Sequence, residues 1–95
     1  MLEKREYMNL SETVEMMNST DYKERFKAEY YQLKIRMCGL DNMLGKRRRD
    51  KLTFEPTCPK STYELQLRAM RDYMRILEMR AVMEGISLDT SLNAM

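Results

Sequence analysis

The strongest constraint on the fold of this chain is a pair of long segments in which apolar residues recur every three or four positions. Such spacing places the side chains on one face of an α-helix. The first series consists of Tyr22, Phe26, Tyr30, Leu33, Met37, Leu40 and Leu44, and the second of Leu67, Met70, Met74, Leu77, Ala81 and Leu88. Two amphipathic helices joined by a short connection form an antiparallel hairpin. The sequence therefore predicts an all-α fold built on a long two-helix hairpin.

A short N-terminal helix over residues 10–17 should precede the hairpin. Asn9 and Glu12 have the spacing of a capping box, in which each side chain bonds the backbone of the other residue. Ser19, Thr20 or Asp21 then caps the first long helix, which we expect to end near Leu44.

The ends of the two long helices are predicted from glycine, proline and hydroxyl residues. Gly45 is expected to end the first helix, and Gly85 the second, near Glu84. Between the helices lies a connection over residues 45–60, which contains both prolines of the chain. Ser61 or Thr62 is expected to cap the second helix.

The chain length indicates one domain, spanning residues 1–95. The end segments 1–9 and 89–95 are expected to be flexible. Two long helices bury little apolar surface on their own, so a third element or self-association is expected, and we expect the protein to be a homo-oligomer.

Positive charge is concentrated in the middle of the chain. Residues 30–52 carry 7 basic and 2 acidic groups, whereas residues 1–29 carry 5 basic and 7 acidic groups. Five of the six residues from Lys46 to Lys51 are basic. The connection should therefore attract anions.

Composition argues against an enzyme, a metal protein and a membrane protein. The chain has no histidine, which removes the usual general base near neutral pH and a common zinc ligand. Cys38 and Cys58 lack the spacing of a metal or redox motif and are expected to be free thiols in a reducing compartment. No apolar run is long enough for a signal peptide or a membrane span, so we expect neither, and no cofactor or metal.

A phosphate-bearing ligand is the sharper interpretation of the basic connection, and a solvated loop that caps a helix end is the simpler one. Arginine grips phosphate through two parallel hydrogen bonds. The start of the second helix adds free N–H groups, and nearby tyrosines offer rings for a base to stack on. The candidate ligand-binding residues are Arg36, Arg47, Arg48, Arg49, Lys51, Tyr31, Tyr63, Thr57, Ser61 and Thr62.

Several stretches of the chain resemble a family of small phage proteins. They are Asp21 to Arg36, Phe54 to Pro59, Leu65 to Tyr73, Arg80-Ala81 and Glu84 to Ile86. Proteins of this kind are common in prophages of gut Firmicutes and have relatives in crAss-like phages. The resemblance implies a compact helical hairpin encoded by an accessory phage gene and located in the host cell cytoplasm. The architecture is also similar to that of phage sponges that oppose the CBASS and Thoeris defences by sequestering cyclic nucleotides.

Together these observations predict a phage anti-defence protein that sequesters a cyclic nucleotide immune signal without cleaving it. Arg47, Arg48, Arg49 and Lys51 would hold phosphates with support from Arg36, and Tyr31 or Tyr63 would stack on a base. One alternative is an inhibitor that binds a host defence nuclease, as anti-CRISPR proteins do. Another is an accessory protein that binds nucleic acid through the basic connection.

Overall fold

The structure is a computed structural model that describes residues 7–89 and 93–94. A 3-10 helix, Leu10–Thr13, continues into α1, Val14–Met17; the two long helices are α2, Tyr22–Arg48, and α3, Lys60–Glu84. Helices α2 and α3 pack together as antiparallel partners, since Tyr22 lies against Glu84 while Asp41 lies near Arg71. The predicted all-α hairpin with a short N-terminal helix is confirmed.

The two ends of the described chain meet in a short parallel pairing. Strand β1, Tyr7–Met8, pairs with β2, Asn93–Ala94, with Tyr7 opposite Asn93. The segments predicted to be flexible, 1–9 and 89–95, otherwise lie largely outside the described residues.

Both predicted N-terminal caps of the first half of the chain are confirmed. Asn9 Oδ1 accepts a hydrogen bond from the backbone N–H of Glu12 at 3.2 Å, and Glu12 Oε1 accepts one from the N–H of Asn9 at 3.1 Å. Asp21 Oδ1 accepts from the N–H of Lys23 at 2.9 Å at the start of α2. These side chains satisfy N–H groups that the first helical turn leaves unpaired.

The prediction that Gly45 ends α2 is wrong, because the helix continues to Arg48. The chain reverses instead at Asp50, whose φ of 55° lies in the left-handed region. There the N–H of Lys51 donates to the carbonyl of Lys46 at 2.8 Å and that of Asp50 to the carbonyl of Arg47 at 3.1 Å. This is a Schellman motif in which aspartate occupies the position usually held by glycine.

The end of α3 agrees with the prediction. Gly85 has φ 69°, the N–H of Ile86 donates to the carbonyl of Ala81 at 2.8 Å, and the Ile86 side chain returns to the core. The predicted start is wrong, since Pro59 occupies the N-cap position and no side chain accepts a capping bond. Ser61 and Thr62 are therefore inside the first turn.

The core forms where α2 meets α3. On α2 it contains Phe26, Tyr30 and Leu33, and on α3 it contains Met74 and Leu77. Tyr30 is 1 % exposed and Leu77 is fully buried. These residues belong to the two predicted apolar series, which confirms the faces by which the helices pack.

Helix α2 is also buried on a second side. Ala28, Tyr31 and Ile35, spaced by three and four residues, are all buried. On the same helix, Gln32 Nε2 donates to the fully buried Thr13 Oγ1 at 3.0 Å, which joins the N-terminal helical segment to α2. Helix α2 is therefore covered by the N-terminal helical segment as well as by α3.

Three tyrosine–glutamate hydrogen bonds cross the hairpin. Tyr30 donates to Glu78 at 2.7 Å, Tyr22 donates to Glu84 at 2.7 Å, and Tyr73 donates to Glu29. Because the partners come from different helices, these bonds favour one register of α2 against α3.

At the end of the hairpin far from the connection, Glu84 is held by two donors. The Tyr22 hydroxyl and Arg80 Nε, at 3.0 Å, both donate to its carboxylate, and together they lower the pKa of Glu84. Arg80 also donates to the Tyr22 hydroxyl at 2.8 Å, and its guanidinium lies 5.0 Å from the centre of the Phe26 ring. Glu84 therefore lies at the polar end of the interface between α2 and α3, which explains why a charged residue occupies that position.

Candidate functional site: the basic connection

The basic connection lies at the end of the hairpin where α2 finishes and α3 begins. The last turn of α2 carries Lys46, Arg47 and Arg48, and Arg49 follows directly at the C-cap. Positive side chains interact favourably with the negative end of a helix. The helix end therefore stabilises this group of charges. That interaction does not explain why the side chains of the successive residues Arg48 and Arg49 approach the same point.

The side chains of Arg48 and Arg49 converge on the backbone of Gly45. A Cβ atom placed on Gly45 would lie 3.5 Å from Nη1 of Arg49 and 3.8 Å from Nη2 of Arg48. Both guanidinium groups therefore approach the same point on the helix surface, although each of these residues is exposed to solvent as a whole. Like charges held close together repel each other, and an anion between them removes that repulsion.

Arg47 has a different environment from its two neighbours. Its Nη1 atom is buried and has no hydrogen-bond partner within the part of the chain that the structure describes. A buried donor without an acceptor is costly, most of all on a charged group. Arg47 also lines an open cleft, so the residue as a whole can be approached from solvent.

The cleft beside Arg47 has a volume of about 290 Å³ and is mainly polar. It is lined by Arg47, Asp50, Leu52, Phe54, Glu55 and Pro56. Its two carboxylates make it unsuitable for phosphate alone, but they are acceptors for hydroxyl or amino groups. Phe54, which is 58 % exposed, adds an aromatic face. The lining therefore matches a ligand with an anionic part, a donor-rich part and a flat ring.

The first turn of α3 faces the same end of the molecule. Ser61 and Thr62 are exposed there, and Thr57 is exposed in the connection. The N–H of Thr62 donates to the carbonyl of Pro59 at 3.0 Å, but no side chain caps this helix end. Such a helix end favours an anion, with the hydroxyl groups as further donors.

Tyr63 and Lys51 also belong to this end of the hairpin. The half-buried Tyr63 accepts a hydrogen bond at its hydroxyl from the N–H of Cys58 at 3.3 Å, which ties the connection to α3. Lys51 is exposed just after the end of α2. Cys38 and Cys58 are free thiols, as the sequence predicts.

Two of the predicted site residues lie elsewhere. Tyr31 is 7 % exposed and its hydroxyl accepts from the N–H of Asp89 at 2.9 Å, so its ring belongs to the core. Arg36 is exposed on α2, about 16 Å along the helix from Arg47. The structure therefore brings eight of the ten candidates to one end of the hairpin and leaves these two outside it.

Sequence reasoning overlooked the residues that complete the cleft. Phe54 and Glu55 enter the sequence analysis within the stretch that resembles the phage family, and Asp50 enters it as one of the two acidic groups of residues 30–52. A single aromatic residue in a mostly charged and polar connection was the available signal. The left-handed backbone of Asp50, which turns the chain into the cleft, has no signature in the sequence.

The described residues contain neither a cluster of metal ligands nor a membrane-spanning helix. Within residues 7–89 and 93–94, no group of three or more cysteine, aspartate or glutamate side chains is placed to hold a metal ion. Neither long helix there combines the length and the apolar composition that crossing a membrane requires.

Comparison with known proteins gives one family. No match reaches significance among curated proteins or among solved structures. The model of the Sequestin family matches residues 20–83, which include α2, the whole basic connection and all of α3 except Glu84. A sequestering protein acts by binding its partner rather than by catalysis. Since the match spans more than half of the chain, the protein belongs to the Sequestin family.

Proposed function

We propose that this Sequestin-family protein is a phage-encoded anti-defence protein that sequesters a cyclic nucleotide immune signal and leaves it uncleaved. The observation that carries the proposal is the convergence of the Arg48 and Arg49 guanidinium groups on one point, beside a cleft that Arg47 lines. A protein that binds without catalysis needs such a site and no reactive group beside it.

Different residues of the site bind different parts of the nucleotide. Arg47, Arg48 and Arg49 bind the phosphates, with Lys51 and the first turn of α3 as further donors. Asp50 and Glu55 accept hydrogen bonds from ribose hydroxyl or base amino groups. Phe54, or Tyr63 on the other side of the connection, stacks on the base. Tyr31 and Arg36 have no part in this arrangement, because they lie away from the cleft.

The proposal is tested by calorimetric titration of the purified protein with cyclic di- and trinucleotides and with cyclic ADP-ribose isomers. We expect tight binding of one compound, and recovery of that compound unaltered after heat denaturation of the protein. A converted product would contradict sequestration, and no binding across the panel would contradict a cyclic nucleotide ligand.

A matched pair of variants assigns the binding to this site. Arg48→Ala with Arg49→Ala should weaken binding by about 100-fold or more, because each hydrogen bond to a charged group contributes about 1.5–3 kcal/mol. Lys23→Ala with Lys27→Ala removes the same charge from the opposite end of α2 and should leave the affinity unchanged. Equal effects of the two pairs would point to general attraction rather than to a site.

Nucleic-acid binding is the second candidate, because five of six successive residues from Lys46 are basic. Affinity for nucleic acid falls steeply as salt rises, because the counterions that binding releases gain less entropy in a more concentrated salt solution. Affinity for a small ligand held in a cleft falls less. A titration of a labelled oligonucleotide from low to physiological salt therefore separates the two functions.

A further inference from the structure

Helix α3 carries a second apolar face, directed away from α2. Large apolar side chains on it are more than half exposed: Leu65 at 66 %, Ile76 at 55 %, Met79 at 58 % and Met83 at 74 %. The face that packs against α2 holds other residues of the same helix, among them Leu67, Met74 and Leu77. A helix that is apolar on two opposite sides is suited to contact with two partners.

The outer face has the spacing of a coiled-coil seam. Positions 65, 69, 72, 76, 79 and 83 alternate by four and three residues, and all but Asp72 are apolar. Heptad spacing of this kind allows two helices to pack side by side over their whole length. By contrast, the exposed apolar residues of the N-terminal helical segments, Leu10, Val14 and Met17, lie on elements of only four residues each.

The seam is complementary to itself when a second copy runs in the opposite direction. Suppose that each residue meets the residue of the second copy that lies equally far from Met74 in the opposite direction along the sequence. Leu65 then faces Met83 of the second copy, and Ala69 faces Met79. Ile76 then faces Asp72. Every seam position thereby has a partner in the second copy, and a two-fold axis relates the two copies. Such self-complementarity is the requirement for a closed dimer.

Two charged residues near the centre of the seam, Asp72 within it and Arg75 beside it, also favour a second copy. Asp72 Oδ1 and Arg75 Nη1 are 3.1 Å apart, and both side chains are exposed. Near the two-fold axis, two aspartates and two arginines alternate, so each carboxylate gains a second arginine. A lipid surface offers no such partner to Asp72, which would be buried among acyl chains.

We infer that the outer face of α3 binds the same face of a second copy of this chain in an antiparallel dimer. The dimer leaves the basic connections at opposite ends of the shared seam, so each copy keeps its own cleft accessible. The inference depends on α3 alone and stands whether or not the cleft binds a nucleotide.

Sedimentation equilibrium tests the dimer. The unmodified protein should have twice its chain mass of 11.5 kDa, and Ile76→Glu, which places a carboxylate against Asp72 of the second copy, should have once that mass. Val14→Glu introduces the same charge at an exposed apolar position of α1 and should remain dimeric. A monomeric unmodified protein at about 100 µM, or a dimer unaffected by Ile76→Glu, would overturn the inference.

Charge exchange tests the geometry even if a single variant folds poorly. Asp72→Arg alone makes the centre of the seam wholly positive, and Arg75→Asp alone makes it wholly negative, so each should be monomeric. A mixture of the two should form a heterodimer, and the protein with both changes should dimerise again. Failure of both combinations while circular dichroism shows intact helices would contradict the antiparallel pairing.

Two additional measurements exclude other arrangements. L65C and M83C copies, both made in a background with Cys38→Ser and Cys58→Ser, should cross-link to each other more readily than either to itself. Vesicles of neutral and of anionic lipid should not bind the unmodified protein. Binding that Ile76→Glu abolishes would instead assign the face to a membrane surface.

Discussion

The hydroxyl of Tyr30 donates a hydrogen bond to Oε2 of Glu78 at 2.7 Å and joins the most deeply buried part of α2 to α3. Burial of the phenol, and then the bond to Glu78 and the negative charge of Glu78, raise the pKa of Tyr30 well above its ordinary value. This pair therefore connects the packing of the hairpin to its register.

Tyr30→Phe should lower the free energy of unfolding by about 1–2 kcal/mol, because it keeps the ring but leaves the half-buried Glu78 carboxylate without this donor. Urea unfolding at neutral pH, followed by circular dichroism, measures the change. Tyr22→Phe is the matched control. Tyr22 is 47 % exposed, and Glu84 keeps its bond from Arg80, so Tyr22→Phe should lower the free energy of unfolding much less than Tyr30→Phe does. Equal losses would show that burial does not determine the value of these bonds.

The same pair predicts a fall in stability at alkaline pH. The pKa of Tyr30 is raised in the folded protein, so its contribution is complete below the unfolded value of about 10. Above that pH the unfolded chain loses the proton first, and stability falls by up to about 1.4 kcal/mol per pH unit for this one group. Unfolding curves from about pH 8 to 12 should therefore show the advantage of the unmodified protein over Tyr30→Phe shrinking. A constant difference across that range would contradict the assignment.

The two Schellman motifs make opposite predictions for substitution. Asp50 has φ 55°, which glycine adopts without strain, so Asp50→Gly should raise the free energy of unfolding by about 0.5–1 kcal/mol. Gly85 has φ 69°, so Gly85→Ala should lower it by about 1 kcal/mol. Thermal unfolding of the ligand-free proteins checks both signs. A stabilising Gly85→Ala would mean that the end of α3 can rearrange.

Gly39 should be replaceable by alanine with a gain in stability. It lies in the middle of α2, it is exposed, and a Cβ there would meet nothing within 4 Å. Gly39→Ala should therefore raise the free energy of unfolding by about 0.5–1 kcal/mol. Gly45→Ala is the informative comparison, since its Cβ would contact the guanidinium groups of Arg48 and Arg49. It should gain less stability and should weaken ligand binding, which Gly39→Ala should not do.

The faces of the long helices were predictable because apolar spacing reflects burial directly. Phe26, Tyr30, Leu33, Leu67 and Leu77 are all buried as their spacing indicates. Tyr22 and Tyr73 belong to or adjoin those series but are 47 % and 41 % exposed, since their hydroxyls reach glutamates at the edge of the interface. Spacing identifies a face but does not distinguish its centre from its rim.

The ends of the helices and the cleft were harder to predict. A glycine at position 45 is the usual sign of a helix end, yet the hydrogen bonds that close α2 depend on Asp50 adopting a backbone conformation that aspartate adopts only occasionally. The burial of Tyr31 depends on the N-terminal helix and the chain after Gly85, neither of which can be inferred from α2 alone. The cleft is equally hard to predict, because Asp50 and Phe54 lie beside Arg47 only once the chain has turned at Asp50.

The three tyrosine–glutamate bonds all use the part of α2 between Tyr22 and Tyr30. The arginines of the basic connection begin at Arg47, about 25 Å further along the helix. Substitutions in the connection can therefore accumulate with little effect on the bonds that align the hairpin. Under selection to follow a changing target, such a protein can exchange the residues that recognise its partner while it inherits an unaltered scaffold.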